Sequence, residues 1–277
     1  MFTIDAHQHF WKYHVEKHSW IDDSMAVIRK DFLPAKLELV LLDNNIDGCI
    51  AIQADQTEDE TDFLLQLAAE NSFIKGIVGW VDLRAADIKE RLQYYKQINA
   101  VKGFRHVLQE EEPAFMLHPD FINGIVFLKE FNFTYDILVF PNHLKAVLEL
   151  VKKFPDQPFV IDHLAKPSIK AGLIDEWKKD MEQLASFGNV YCKISGMVTE
   201  ADFQNWKHTN FTPYLDEVVN LFGTKRIMFG SDWPVCLVAA SYEKMLGIVK
   251  DYFASFSLTE QQDFFGNNAA TFYQLKI

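Results

Sequence analysis

The feature that most constrains the fold is a repeated alternation of short apolar runs with segments of helical length. Such alternation is typical of β-α units that build a parallel sheet. The apolar runs fall at residues 2–6, 48–53, 74–81, 100–105, 134–139, 158–163, 190–195 and 226–232. Because eight β-α units close on themselves as a barrel, the sequence predicts an α/β fold of the (β/α)₈ TIM-barrel class. The active site of such a barrel lies at the C-terminal ends of the strands.

The chain is 277 residues long, close to the ~250 residues typical of one such barrel. Neither a linker nor a shift in composition divides it, so residues 1–277 are expected to form a single barrel domain. The segment 10–33 has no clear period and is rich in aromatic side chains. Long irregular loops in compact domains are often functional, and we expect this one to cover the barrel mouth.

The overall charge and the cysteine pattern exclude several classes of protein. A net charge of −12 at pH 7 argues against nucleic acid and anionic membrane surfaces as partners. The sequence contains no recognisable leader and no apolar run of membrane-spanning length. Cys49, Cys192 and Cys236 are widely spaced and indicate neither a disulfide framework nor a zinc motif. A cytoplasmic protein is therefore expected, and a homo-oligomer is left open.

Polar side chains are concentrated where the apolar runs end. The first run is followed by His7 and His9, and the sixth and eighth end in His163 and Asp232. Residues two apart on a strand point to the same side, so His7 and His9 aim both imidazoles at one point. Since strand ends converge in a barrel and a buried ionisable group is costly unless paired, one shared site is predicted. Basic residues near the same ends are Arg105, Lys166 and Lys193.

Each of these residues also has a structural interpretation. Histidines such as His163 are often satisfied by hydrogen bonds within a core. An aspartate such as Asp232 often caps a following helix. The basic side chains are equally consistent with ion pairs or solvated positions.

Five short motifs carry a family resemblance. They are Asp5-Ala6-His7-Gln8-His9-Phe10-Trp11, Gly103-Phe104-Arg105-His106, Asp162-His163-Leu164-Ala165-Lys166-Pro167, Lys193-Ile194-Ser195-Gly196 and Phe229-Gly230-Ser231-Asp232-Trp233-Pro234. In this order and spacing they resemble the amidohydrolase-related proteins of the amidohydrolase superfamily, and among these the sugar-lactonase branch. The combination is specific, whereas any single motif is not.

The resemblance implies a histidine pair on strand one, a histidine on strand six and an aspartate on strand eight. In this chain those residues are His7, His9, His163 and Asp232. Two departures stand out: the fifth run reads Tyr135-Asp136 without a histidine, and the fourth ends in Arg105-His106 without a bridging ligand. A two-metal centre is therefore not expected. One divalent cation, with zinc as the first choice, on His7, His9 and Asp232 is one alternative, and a metal-free site is the other.

The function that the resemblance implies is hydrolysis of a small sugar-acid lactone, such as L-fuconolactone or L-rhamnonolactone. Asp232 would activate water as the general base, and the histidines would polarise the carbonyl directly or through a metal. The side chains expected to bind the substrate are Arg105, Lys166, Lys193 and Arg29. The alternatives are a metal-dependent decarboxylase of an aromatic or unsaturated acid and a non-catalytic small-molecule binder.

Overall fold

Eight parallel strands form a barrel in the computed structural model, which describes residues 2–276. Each strand pairs with the next in chain order: β1 (Ile4–Gln8), β2 (Gly48–Ile52), β3 (Ile74–Gly79), β4 (Val101–His106), β5 (Thr134–Ile137), β6 (Phe159–Ile161), β7 (Val190–Ile194) and β8 (Ile227–Phe229). A parallel bridge between Gln8 and Trp233 joins the first strand to the exit of the last. The predicted (β/α)₈ architecture is confirmed.

Helices connect the strands and cover the outside of the barrel. They are α1 (Pro34–Asn44), α2 (Glu58–Glu70), α3 (Ile88–Tyr95), α4 (Pro119–Glu130), α5 (Leu144–Lys153), α6 (Asp175–Ala185), α7 (His208–Phe222) and α8 (Tyr242–Phe253). The tail adds α9 (Leu258–Gln262) and α10 (Asn268–Phe272) on either side of a π-helical turn at Asp263–Asn267. α1 to α8 lie in the segments of helical length that separate or follow the eight apolar runs.

Local sequence explains where several helices begin. Pro34 and Pro119 occupy the first turns of α1 and α4, where a residue without a backbone N–H leaves no bond unmade. At the start of α2 the Thr57 hydroxyl accepts a hydrogen bond of 3.2 Å from the N–H of Glu60. Side-chain capping of this kind satisfies an N–H that has no partner within the helix.

The barrel interior is apolar toward the N-terminal ends of the strands. Alternate strand residues such as Ile4, Ile50 and Met228 pack there against Phe272 and Tyr273 of the C-terminal tail. Side chains of a strand alternate between its two faces, so the residues between these pack outward against the helices. The tail therefore closes the end of the barrel opposite the predicted site.

Strands six and eight end before the site residues that the sequence analysis places on them. The sequence analysis extends strands six and eight to His163 and Asp232, but β6 ends at Ile161 and β8 at Phe229. His163 and Asp232 have φ angles of 54° and 59°, in the left-handed region that a strand excludes. The chain thus leaves extended geometry just before each of these residues, which turns their side chains toward the barrel axis.

The segment 10–33 is packed on the barrel. It contains a 3₁₀ helix at Asp23–Ile28 and an antiparallel bridge between Trp11 and Phe32. The indole N–H of Trp11 donates a hydrogen bond of 2.9 Å to the carbonyl of Lys30, and Trp11 is buried. Aromatic packing of this kind fixes the course of a long loop without regular structure.

The cysteine and membrane predictions can be compared with the structure directly. Cys49, Cys192 and Cys236 are all buried free thiols. Across residues 2–276 no helix combines the length and the apolar character needed to cross a membrane.

Candidate active site at the C-terminal end of the barrel

The end of β1 and the segment after β8 are joined at the site. The N–H of His9 donates to the carbonyl of Trp233 at 2.7 Å, and the N–H of Asp232 donates to the carbonyl of His7 at 2.8 Å. Beneath them Asp5 accepts hydrogen bonds from the N–H groups of Ser231 (2.8 Å) and His7 (3.1 Å). These backbone bonds place Asp232 beside the histidine pair.

Asp232 lies at the centre of three histidines. Its Oδ1 is 3.4 Å from Nε2 of His9, 3.9 Å from Nε2 of His7 and 4.0 Å from Nε2 of His163. The Nε2 atoms of His7 and His9 are 3.2 Å apart. The four residues that the sequence analysis places in one site therefore converge on one point.

Each imidazole is oriented by a partner at its other nitrogen. Nδ1 of His9 lies 2.9 Å from the carbonyl oxygen of Ile52. Nδ1 of His7 lies 3.3 Å from Oδ1 of Asp162, and Nδ1 of His163 lies 2.9 Å from the Ser195 hydroxyl. A carbonyl only accepts hydrogen bonds, so neutral His9 carries its proton on Nδ1 and presents a lone pair at Nε2. Partners of this kind orient each ring, and the carbonyl beside His9 also fixes its tautomer.

The environment favours neutral imidazoles around an ionised carboxylate. Burial lowers the pKa of His163 to about 4 and lowers the pKa of His7 well below its usual value. For Asp232 burial acts to raise the pKa, but the electrostatic interaction with His163 and the hydrogen bond with His9 outweigh it and lower the pKa. At neutral pH Asp232 is therefore an ionised carboxylate that faces the uncharged rings of His7 and His163.

The turn after β6 has an unusual backbone. His163, Leu164, Ala165 and Lys166 all have φ angles between 50° and 57°, which costs side-chain-bearing residues energy. The indole N–H of Trp177 donates to the carbonyl of Leu164 at 2.7 Å and holds the turn. Strain of this kind is found where the surrounding structure positions a functional side chain.

A buried network of charges supports the site from below. Arg105 donates to Asp162 at 3.0 Å and to the carbonyl of Gln53 at 2.6 Å. The Lys193 ammonium lies 2.5 Å from Asp136 and 3.0 Å from Asp162. Lys193, Asp136 and Asp162 are fully buried. Two cations facing two carboxylates offset the cost of burying each charge.

Above the cluster is a cavity of about 570 Å³. His9, His163, Asp232 and Arg105 lie at its base, and Lys166 lines its side. The segment 10–33 contributes Lys17, Ser19, Trp20 and Met25 to the wall. A cavity of this size is typical of small-molecule sites.

Two predicted substrate-binding residues lie elsewhere. Arg29 binds the Ile21 carbonyl and Asp23 within its own loop. Lys193 is enclosed by its two carboxylates. Neither is among the described residues that line the cavity. In the structure Arg29 holds its own loop and Lys193 pairs with the carboxylates beside His7, so a role in substrate binding stays a prediction for both.

The sequence analysis did not assign roles to Asp136, Gln56 and Gln109. Asp136 pairs with Lys193 inside the barrel, and its position within an apolar strand is a signal, because such a group must be paired. Gln56 and Gln109 line the cavity but stand in loops, where their residue type alone gives no signal.

Within residues 2–276, two overlapping groups of side chains bring potential metal ligands within 4.8 Å of one another. One is His7, His9 and Asp232, and the other is His7, Asp162 and His163. The first offers imidazole nitrogens and a carboxylate oxygen, which zinc prefers. In the second, Asp162 is already bound by Arg105 and Lys193. The first group therefore fits a divalent cation better.

Comparisons with known proteins identify the family of the chain. The profile of the amidohydrolase family matches residues 4–275. An L-fucono-1,5-lactonase of Burkholderia multivorans (strain ATCC 17616 / 249) is 37% identical over 284 residues, which cover 98% of this chain and 96% of the relative. An L-fucono-1,5-lactonase of Burkholderia ambifaria is 32% identical over 289 residues, which cover 99% of this chain and 96% of the relative. The crystal structure of a Burkholderia multivorans amidohydrolase with bound zinc superposes with a TM-score of 0.96 at 36% identity, covering 100% of both chains. On its sequence and its fold, the chain belongs to the amidohydrolase family.

Proposed function

We propose that the protein is a lactonase that hydrolyses a small sugar-acid lactone with Asp232 as the general base. The observation that carries this proposal is the convergence of Asp232 with His7, His9 and His163, three of which, Asp232, His9 and His163, line the cavity. The two relatives named L-fucono-1,5-lactonase, which match nearly the whole chain, support the same reaction class.

Asp232 is suited to activate water. Its lowered pKa keeps it ionised at neutral pH, and it lines the cavity. It would take a proton from water as the water oxygen bonds to the lactone carbonyl carbon. When the bond between this carbon and the ring oxygen breaks, Asp232 would return the proton to the ring oxygen. The product is the open-chain hydroxy acid, which ionises in solution, and the base is regenerated.

The carbonyl oxygen gains negative charge during this attack and needs stabilisation. Arg105 is a buried cation at the base of the cavity, with Nη1 3.3 Å from Nε2 of His7. The Ser195 hydroxyl lies 2.9 Å from Nδ1 of His163 and can donate a hydrogen bond to it. In that case Nε2 of His163 carries the ring proton and can donate a hydrogen bond to the oxyanion. Fixed donors in a buried site stabilise an oxyanion without reorganisation.

A divalent cation fits His7, His9 and Asp232, and the zinc in the related crystal structure supports this choice. Such a cation supplies polarisation of the carbonyl oxygen and a lower pKa of water. We expect metal analysis of protein purified without chelator to find about one zinc per chain. His9→Gln should abolish that zinc, because it removes a central ligand, whereas the exposed His118→Gln should retain it. Zinc retained by His9→Gln would contradict the assignment.

The test of the proposed function is a proton-release screen over aldonolactones, run on purified protein before and after chelation. The expected result is acid release from at least one sugar-acid lactone. No turnover of any lactone would overturn the proposal. Carbon dioxide released from an aromatic acid only in the presence of metal would favour the decarboxylase alternative instead.

A further inference from the structure

Two opposite charges stand side by side in the cavity wall without a hydrogen bond between them. The ammonium of Lys166 lies 3.9 Å from a carboxylate oxygen of Glu200, which is longer than the roughly 3.2 Å that a hydrogen bond reaches. The two side chains are only 18% and 20% exposed, and both line the cavity. The pair is therefore held inside the site rather than on the open surface of the protein.

The charged atoms of this pair are open to the cavity. Within residues 2–276 neither the ammonium of Lys166 nor the carboxylate of Glu200 makes a hydrogen bond, and neither is among the polar atoms that are enclosed without a partner. The exposed part of each side chain therefore faces the cavity that it lines. By contrast, the guanidinium of Arg105 is already occupied by Asp162 and Gln53. Lys166 and Glu200 can thus still bind a ligand.

Both side chains stand on segments that are fixed beside the histidine cluster. Lys166 ends the left-handed turn that begins at His163, and its ammonium lies over the ring of Phe140, 5.3 Å from the ring centre. Glu200 ends the 3₁₀ turn Met197–Glu200 that follows β7. Placement on well-defined segments suits side chains that recognise the geometry of a ligand.

An ion pair with this spacing selects a neutral hydroxyl group. A substrate carboxylate at Lys166 would be repelled by Glu200, and a substrate cation at Glu200 would be repelled by Lys166. A hydroxyl group both donates and accepts, and its oxygen can stand about 2.8 Å from both charged atoms at once. It would accept a hydrogen bond from the ammonium and donate one to the carboxylate. Hydrogen bonds to charged groups are among the stronger ones in proteins.

We propose that Lys166 and Glu200 form a hydroxyl-binding subsite, in which one ring hydroxyl of a neutral sugar lactone bridges the ammonium and the carboxylate. This inference rests on the proposed function and adds the contact that distinguishes a sugar lactone from one without hydroxyls. Glu200 becomes a binding residue that the sequence analysis did not assign. Sites built to hydrogen-bond a substrate hydroxyl reject the analogue that lacks it.

Calorimetry with lactams tests this subsite without depending on turnover. The probes are the 1,5-lactam of L-fuconic acid, which resists hydrolysis, and analogues that each lack one ring hydroxyl. For wild type we expect one of these analogues to bind about tenfold more weakly than the parent lactam, or weaker still. In Lys166→Met and in Glu200→Leu the parent should weaken by a similar factor, and loss of that hydroxyl should then make no further difference, because the two changes remove the same contact.

Lys170→Met is the matched control. Lys170 forms an exposed pair with Asp202 at 4.0 Å, and neither residue is among the described residues that line the cavity. The parent lactam and its analogues should therefore bind to this variant as they do to wild type.

The inference is overturned if every analogue loses as much affinity in the two variants as in wild type, or if the lactams do not bind. A general effect of the two substitutions on the site would weaken the parent and all analogues alike, which also contradicts it. Turnover separates these results from failure of the proposed function. If wild type hydrolyses no lactone but shows the expected lactam pattern, the proposed function fails alone.

Discussion

His163 is held in place by contacts on several sides. A Cβ atom added to Gly196 would lie 2.5 Å from its Nδ1, which is closer than atoms approach without displacement. Gly196 itself has a φ of 60°, in a region that glycine adopts without cost. The ring therefore fits between the Ser195 hydroxyl and a backbone that must lack a side chain.

Gly196→Ala is expected to displace the His163 ring and lower kcat for the lactone by about 10²-fold. Gly172→Ala is the control, because Gly172 also has a positive φ of 67° but nothing within 4 Å of the added Cβ. It should cost about 1 kcal/mol of stability and leave kcat unchanged. Steady-state kinetics with urea unfolding of both variants tests this, and equal kcat values for the two variants would contradict it.

At the scale of strands, the sequence predicts which polar residues stand at the strand ends. It does not predict which side chains on neighbouring strands pair with them. The sequence predicts that His7, His9, His163 and Asp232 lie together because strand ends converge in a barrel. Whether Lys193 reaches the cavity depends on which side chains of neighbouring strands lie opposite it. Its partner Asp136 is 57 positions away in the chain, so no local pattern reveals the pair. The left-handed turn at 163–166 was equally hidden, since residues with side chains rarely adopt it.

Replacement of Lys193 tests the buried network. Lys193→Met leaves Asp136 and Asp162 facing each other with only Arg105 to compensate, so we expect a loss of about 3–5 kcal/mol in the free energy of unfolding. Lys152→Met removes an exposed pair with Glu149 at 2.9 Å and should cost less than about 1 kcal/mol. Urea denaturation measures both, and a loss for Lys193→Met no larger than for the control would contradict the account.

At the scale of the whole molecule, the sequence predicted the order of β-α units, and the structure adds how the barrel is closed. The Gln8–Trp233 bridge joins residues that are far apart in the chain, which periodicity cannot show. The course of the segment 10–33 was not readable either. It depends on contacts with the barrel, such as the Lys17–Asp55 pair, rather than on a repeating pattern.

The buried carboxyl group of Glu60, near the Lys17–Asp55 pair, predicts that stability depends on pH. Burial raises the pKa of Glu60 from 4.5 to about 7. An acid whose pKa is higher in the folded state stabilises the fold below its unfolded pKa, and this contribution is lost as the pH rises through about 7. Glu60→Gln keeps an oxygen to accept from the N–H of Ala54 and cannot ionise.

From about pH 5 to pH 8, wild type should therefore lose about 1–3 kcal/mol more stability than Glu60→Gln. Urea unfolding at both pH values measures the difference. Parallel pH profiles for the two proteins would show that Glu60 does not titrate as described.

The measurement that tests the central claim most directly is the turnover of Asp232→Asn on a sugar-acid lactone, followed by proton release. The account predicts a folded protein whose kcat is lower by about 10²–10⁴-fold, because the amide cannot accept the proton of the attacking water. Asp55→Asn is the control, since Asp55 lines the same cavity and is paired with Lys17; its kcat should stay near that of wild type. Turnover of Asp232→Asn close to that of wild type would contradict the assignment of Asp232 as the base.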